Sequence, residues 1–182
     1  WLYNCGSEDD DAAGEPTLRD LAEQALTRRT VQRALDLAHG RGVTLVAAAG
    51  NGHADLAAPL REDTTSPDHP AGAARARTVT NACPTLPAEG AGVIAVSSVG
   101  PSGTKADYSN YGLGVVDVAA PGGWPRDPGG PAGPSLRNAV LSTYPLDVAI
   151  AEGLAGPDGR PVDNASVLDC DAMSRCGFYT YL

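Results

Sequence analysis

The longest periodic stretch of the chain is residues 16–38. Leu18, Leu21, Ala22, Ala25 and Leu26 recur at three- and four-residue spacing, and Val31, Ala34, Leu35 and Ala38 continue the pattern, which predicts an amphipathic helix. Pro16 suits a first turn, Asp20 and Glu23 lie early, and Arg28, Arg29 and Arg33 lie late, in agreement with the sign of the helix dipole. Gly40 and Gly42 supply the stop. Residues 43–46 then form a short β-branched and apolar run, the pattern of a strand buried on both faces. A helix feeding such a strand is half of a right-handed parallel crossover, so the predicted class is α/β. Further strands are predicted at 93–99, 115–119 and 139–142, and a brief helix at 146–152. Residues 178–182 form an aromatic β-type run. Residues 53–87 lose all periodicity and read as a long surface loop, as do the Gly/Pro-rich stretch 125–134 and residues 153–165. Pro101-Ser-Gly103 reads as a turn.

After Val46 come Ala47, Ala48, Ala49 and Gly50, so the end of the first strand carries almost no side-chain bulk. Asn51 follows, flanked by Gly50 and Gly52, at the carboxyl end of a predicted parallel strand, where open α/β sheets place their sites. Small residues let a ligand approach the backbone, and a neutral amide can donate to a developing negative charge. The same residues also suit a plain turn in which Asn and Gly supply positive φ. The local pattern leaves both readings open.

Three stretches together decide between them. Leu45-Val-Ala-Ala-Ala-Gly-Asn51-Gly resembles the oxyanion-asparagine segment of the subtilisin-like serine peptidases. Val93-Ile-Ala-Val-Ser-Ser-Val-Gly100 followed by Ala106-Asp-Tyr-Ser-Asn-Tyr-Gly112 resembles that family's next block, and Val116-Asp-Val-Ala-Ala-Pro-Gly-Gly123 resembles its strand-and-turn block. They occur in the family's order. The resemblance implies a subtilisin-like fold, with a largely parallel sheet flanked by helices. It assigns the oxyanion donor to Asn51 and a wall of the primary specificity pocket to Ala47, Ala48, Ala49 and Gly50. Many relatives place a glutamate directly after the asparagine. Here Gly52 stands in its place, which argues against a preference for basic residues.

The family's triad uses an aspartate in D-[ST]-G, a histidine in H-G-[TH] and a serine in G-T-S-x-A. None of these motifs occurs in the 182 residues. His39-Gly40 is followed by Arg41 and closes a predicted helix, whereas the catalytic histidine opens one. Asp158-Gly159 lies after Asn51, which is the wrong order. His53 and His69 fall in the loop after the asparagine, as solvent-exposed residues or minor loop contacts. The expectation is therefore that residues 1–182 are a partial peptidase domain, ending just before the nucleophile motif. Its opening at Trp1 reads as an excised or processed end, and the missing N- and C-terminal segments of the same parent domain are its expected partners. Two other classes remain: a non-catalytic peptide-binding module or inactive pseudo-peptidase on the same scaffold, and an unrelated doubly wound domain with a small-molecule site at Asn51. No glycine-rich phosphate motif supports the last.

Composition narrows the partners. A net charge of −9 argues against nucleic acid or an anionic membrane surface, and no apolar run approaches the roughly 20 residues of a membrane helix. A polypeptide substrate is the expected partner. No cofactor is expected; the family resemblance admits structural calcium without assigning ligands. The acidic run within residues 7–15 reads as a solvated loop, because the alternating ligand spacing of a calcium loop is absent. The four cysteines allow three pairings. Cys170 and Cys176 bracket five residues, a loop that one disulfide closes easily, and Cys5 and Cys83 would then form a longer-range staple. Free buried thiols are the alternative. Zinc is disfavoured, because neither C-x-x-C nor a nearby histidine accompanies them. The disulfide reading implies an oxidising, secreted location.

Overall fold

The computed structural model describes residues 18–58, 60–63, 77–80 and 84–181. The chain divides into two compact units, Trp1–Ser98 with Asp107–Ala120, and Val99–Ala106 with Pro121–Leu182.

In the first unit, helix α1 (Leu18–His39) leads into strand β1 (Leu45–Ala48). β1 pairs in parallel with β4 (Val93–Val99), in a register that sets Leu45 opposite Val93 and Ala48 opposite Val96. β5 (Val118–Pro121) lies on the other side of β4, giving the order β1-β4-β5. The predicted helix is present, but its apolar stripe is displaced. Leu26 is 61% exposed and Ala22 and Ala34 are exposed, whereas Ala25, Val31, Leu35 and Ala38 are half-buried. Gln32 fixes that face, because its amide donates to the Ala91 carbonyl at 3.1 Å and accepts from the Ala91 N–H at 3.0 Å. Leu35 fills the space at Gly90, where a Cβ would come within 2.6 Å of its Cδ1.

Strand β1 starts two residues later than the pattern 43–46 predicts and extends into the alanines. The α1 end takes up the preceding residues, since the Val43 N–H donates to the Ala38 carbonyl at 3.1 Å. Nor is β1 buried on both faces: Val46 is 62% exposed, and Ala95, on the neighbouring strand, is fully buried. β5 likewise starts later than the predicted 115–119. Val115 and Val116 N–H groups both turn back to the Gly112 carbonyl, and Asp117 joins β4 through both its backbone and its side chain. Its N–H donates to the Ala95 carbonyl at 3.0 Å, and its carboxylate accepts from the Ala95 N–H at 2.8 Å.

The predicted loop 53–87 contains two strands, β2 (Leu60–Asp63) and β3 (Arg77–Thr80), paired antiparallel. They are four residues each and largely polar, so no apolar alternation announced them. Cys5, Cys83, His69 and the acidic run 7–15 lie outside the described residues.

In the second unit, β6 (Leu141–Thr143), β7 (Ser166–Cys170) and β8 (Cys176–Tyr181) form an antiparallel sheet in the order β6-β8-β7. Helix α2 (Leu146–Ala151) contributes Ala149 to a small core with Ala155 and Phe178, packed against by Tyr144, Leu154 and Leu168. The expected Cys170–Cys176 disulfide is formed and joins directly paired residues at the end of the β7–β8 ladder. The turn inside it is organised by Asp171. One of its oxygens accepts from the N–H groups of Met173 and Arg175, at 2.9 Å each, and the other pairs with the Arg175 guanidinium at 2.6 Å.

Asp127 sits in the stretch that composition marked only as irregular, and it is fully buried. Its two oxygens accept from the N–H groups of Ser102 and Gly129, each at 2.9 Å. Burial alone pushes its carboxyl pKa up, but the donors of Ser102, Gly129 and Gly130 outweigh that effect and hold it below the ordinary value. A depressed folded-state pKa stabilises the fold in full above the unfolded-state pKa. That stabilisation is lost as pH falls through the lower folded-state value. Asp127→Asn is therefore expected to destabilise the protein at neutral pH, since the new amide would set a donor against an N–H. Thermal unfolding across a pH series should show the gap to wild type narrowing below the carboxylate range. A gap independent of pH would refute the assignment.

Candidate functional site

Asn51 stands three residues beyond the end of β1, in an exposed turn. The pairing with β4 persists for one residue past the strand, because the Ala49 N–H donates to the Val96 carbonyl at 2.8 Å. Ala49 is 1% exposed, Ala47 and Gly50 are half-buried and Ala48 is exposed. Of the four small residues, Ala49 therefore turns its methyl into the fold, while Ala48 faces outward. Positive φ falls at Gly50 (φ 106°) and His53 (φ 52°), not at Asn51. Of the plain-turn account, in which Asn and Gly supply positive φ, the glycine part holds at Gly50, while Asn51 itself does not supply one.

Residues 107–112 hold this turn in place. Tyr111 N–H donates to the Ala54 carbonyl at 3.0 Å, and Leu56 N–H donates to the Tyr111 carbonyl at 2.6 Å. His53 N–H donates to the Tyr108 carbonyl at 2.8 Å, and its Nδ1 meets the Asp107 carbonyl. Gly112 permits the close approach, since a Cβ there would lie 2.7 Å from the Ala57 nitrogen. Asn110, only 7% exposed, bonds on both sides of Asn51. Its backbone N–H donates to the Gly50 carbonyl at 2.8 Å, and its Nδ2 donates to the Ala49 carbonyl at 2.9 Å. Its Oδ1 accepts from Gly52 N–H and Ala54 N–H, each at 2.9 Å. Ser109 in turn anchors this segment to β4: its hydroxyl accepts from Ser98 N–H at 2.8 Å and donates to the Asn110 carbonyl at 3.1 Å. Ser98 and Tyr108 hydroxyls are 2.7 Å apart.

The other candidate residues do not join this turn as a triad. His39 is the last residue of α1 and packs beside Gly92. His53 is exposed and is used for local backbone contacts. Asp158 lies in an exposed turn of the second unit, where it pairs with Arg160 at 3.6 Å. Among the described residues, no group of three or more His, Cys, Asp or Glu gathers in a metal-holding arrangement, and no helix is long and apolar enough to cross a membrane. Sequence reasoning missed the roles of Asn110, Ser109 and Asp117, although each lies inside one of the quoted blocks. The available signal was a pair of short polar residues, Ser109-Asn110, set among aromatic and apolar neighbours.

A family model described as the subtilase family matches residues 10–148. The chain belongs to that family, whose members are serine-type peptidases. Among curated proteins it is similar to an extracellular protease of Xanthomonas campestris pv. campestris, with 37% identity over 93 residues, which is 51% of this chain and 11% of that protein. Among solved structures, a lanthipeptide protease shares 21% identity at a TM-score of 0.48, over 88% of this chain and 37% of the other. The epidermin leader peptide processing serine protease of Staphylococcus aureus shares 18% identity at a TM-score of 0.42, over 100% of this chain and 35% of its own. The chain thus spans about a tenth of the curated relative's length and little more than a third of these solved chains.

Gly50 is the residue on which the close packing at Asn51 depends. A Cβ there would lie 2.6 Å from Asn110 Nδ2, at a φ of 106° that side chains rarely adopt. Gly50→Ala is expected to cost about 1–3 kcal/mol, the scale of one residue forced into a sparsely populated conformation. Urea unfolding measures it, and a change within error would show that the turn relaxes freely.

Proposed function

We propose that residues 1–182 form the middle portion of a secreted subtilisin-like serine endopeptidase, and that Asn51 supplies its oxyanion donor. The observation that carries this reading is the placement of an exposed amide on a turn whose flanking peptide groups are held by a buried partner. Catalysis by such a donor needs preorganisation: the amide must already point to where charge develops, so that no reorganisation is required during the reaction. In the proposed reaction a serine attacks the scissile carbonyl, a histidine takes the serine's proton, and an aspartate orients that histidine. The carbonyl oxygen becomes an oxyanion, and the Asn51 side-chain N–H donates to it. The serine, histidine and aspartate come from segments of the same parent domain that lie outside these residues. Secretion is supported by the extracellular relative and by the Cys170–Cys176 bridge.

The 182-residue chain by itself is expected not to react with a serine-directed fluorophosphonate, because an oxyanion donor acts only after an activated nucleophile has attacked. Joined to the segments that bear the triad, it should label and turn over peptide substrates. In that polypeptide Asn51→Ala should lower kcat by about 10²–10³-fold, the size established for this very donor in subtilisin, with KM changed far less. Steady-state kinetics checks this, and an unchanged kcat would refute the role.

The same reading makes the segment of Ala47, Ala48, Ala49 and Gly50 a wall of the pocket for the residue before the cleaved bond, with Ala49, whose methyl is buried, supporting it from behind. Small side chains and the uncharged Gly52 favour large apolar or aromatic residues there. A peptide-library profile of the triad-bearing polypeptide is expected to show that preference, and a profile dominated by Lys or Arg would contradict it.

A further inference from the structure

Four hydrogen bonds of Asn110, those of its backbone N–H and its side chain, share one feature that a general packing role does not require: they end on peptide groups that bracket Asn51. The carbonyls of Ala49 and Gly50 lie on one side, and the N–H groups of Gly52 and Ala54 on the other. Here one terminal atom donates to a carbonyl and the other accepts from two N–H groups, a division that a neutral carboxamide supplies at every pH, whereas a hydroxyl would have to place all three bonds on one oxygen and a carboxyl group could donate only when protonated. Asparagine is the shorter of the two carboxamides available, and Gly50 already approaches its Nδ2 without room for a Cβ. The partners also fix which way the amide points, since two donors face one atom and a carbonyl faces the other. Behind it, the Ser109 hydroxyl ties the Asn110 carbonyl to Ser98 of β4, so the brace is referred to a strand and not to another loop. Asn51 itself remains exposed.

We propose that Asn110 is a positioning residue for the oxyanion donor, holding the backbone on both sides of Asn51 so that its side-chain amide is aimed before the charge forms. This rests on the assignment of Asn51 as that donor. Asn110 touches neither substrate nor reacting atoms. It acts through the turn, so its loss should appear in kcat rather than in KM.

The test is a double-mutant cycle in the polypeptide that carries the triad segments, comparing wild type, Asn51→Ala, Asn110→Ala and the double variant at a temperature where each is folded. Asn110→Ala is expected to lower kcat by about 10- to 100-fold, the scale of a misplaced catalytic group, with KM changed by less than about threefold. In the Asn51→Ala background the same substitution should cost less than about threefold in kcat, because there is no longer a donor to misplace. An equal cost in both backgrounds, with Asn51→Ala itself impaired, overturns the positioning role and leaves the oxyanion reading standing. An unchanged kcat for Asn51→Ala overturns both.

Asn110→Asp supplies a second readout that decides the matter if the alanine variant does not fold. Its new carboxylate would set an anion against the Ala49 carbonyl, whereas the protonated acid can donate to it. The kcat ratio of this variant to wild type should therefore rise as pH falls, and that pH dependence should vanish in the Asn51→Ala background. A ratio that is flat with pH, or that responds equally in both backgrounds, overturns the proposal.

Discussion

A single buried carboxamide governs the best-defined surface of this protein. The segment from Ala49 to Ala54 is composed almost wholly of alanine, glycine and a solvent-facing asparagine, so hydrophobic packing has little to grip. Its conformation must be specified by hydrogen bonds, and in a buried setting an unmade bond costs more than a made one contributes. Asn110 satisfies four groups at once. Two residues further on, Leu56, 2% exposed, is the apolar anchor that the turn itself lacks.

The three sequence blocks that mark the family interlock at β4. Ser109 takes the Ser98 N–H, and Asp117 takes the Ala95 N–H. In each case a side-chain oxygen occupies a place where a neighbouring strand would ordinarily offer a carbonyl. This substitution frees the chain between the two contacts to fold as a loop. It also explains why β5 begins at Val118 although Val115 and Val116 have better strand propensity: the Asp117 clasp sets where pairing can begin.

The second unit solves a different problem with few apolar residues. Its core rests on Phe178 and two alanines, and polar groups do much of the organising. Asp127 gathers a Gly/Pro-rich stretch by accepting from backbone donors, and Asp171 does the same for the β7–β8 turn. Buried Ser166 and Thr180 hydroxyls meet at 3.2 Å across the strands. A carboxylate suits such places because it accepts several N–H groups at once and carries no donor that would need a partner.

Local pattern was enough for α1, β4 and α2, for the approximate positions of β1, β5, β6 and β8, and for the Cys170–Cys176 bridge. In each, apolar spacing, a bounded β-branched run or a five-residue cysteine loop carries the signal within a single window of sequence. It was enough, too, to single out Asn51 through the bulk-free residues before it. Strands β2, β3 and β7 were not visible, because their stability comes from pairing with a partner rather than from their own periodicity. The displaced stripe of α1 depends on where Gln32 and Leu35 meet the loop before β4. The role of Asn110 was equally hidden, since its partners lie 56–61 residues away. A long-range hydrogen-bond network leaves no period in the sequence, and only the folded chain brings its donors and acceptors to one place.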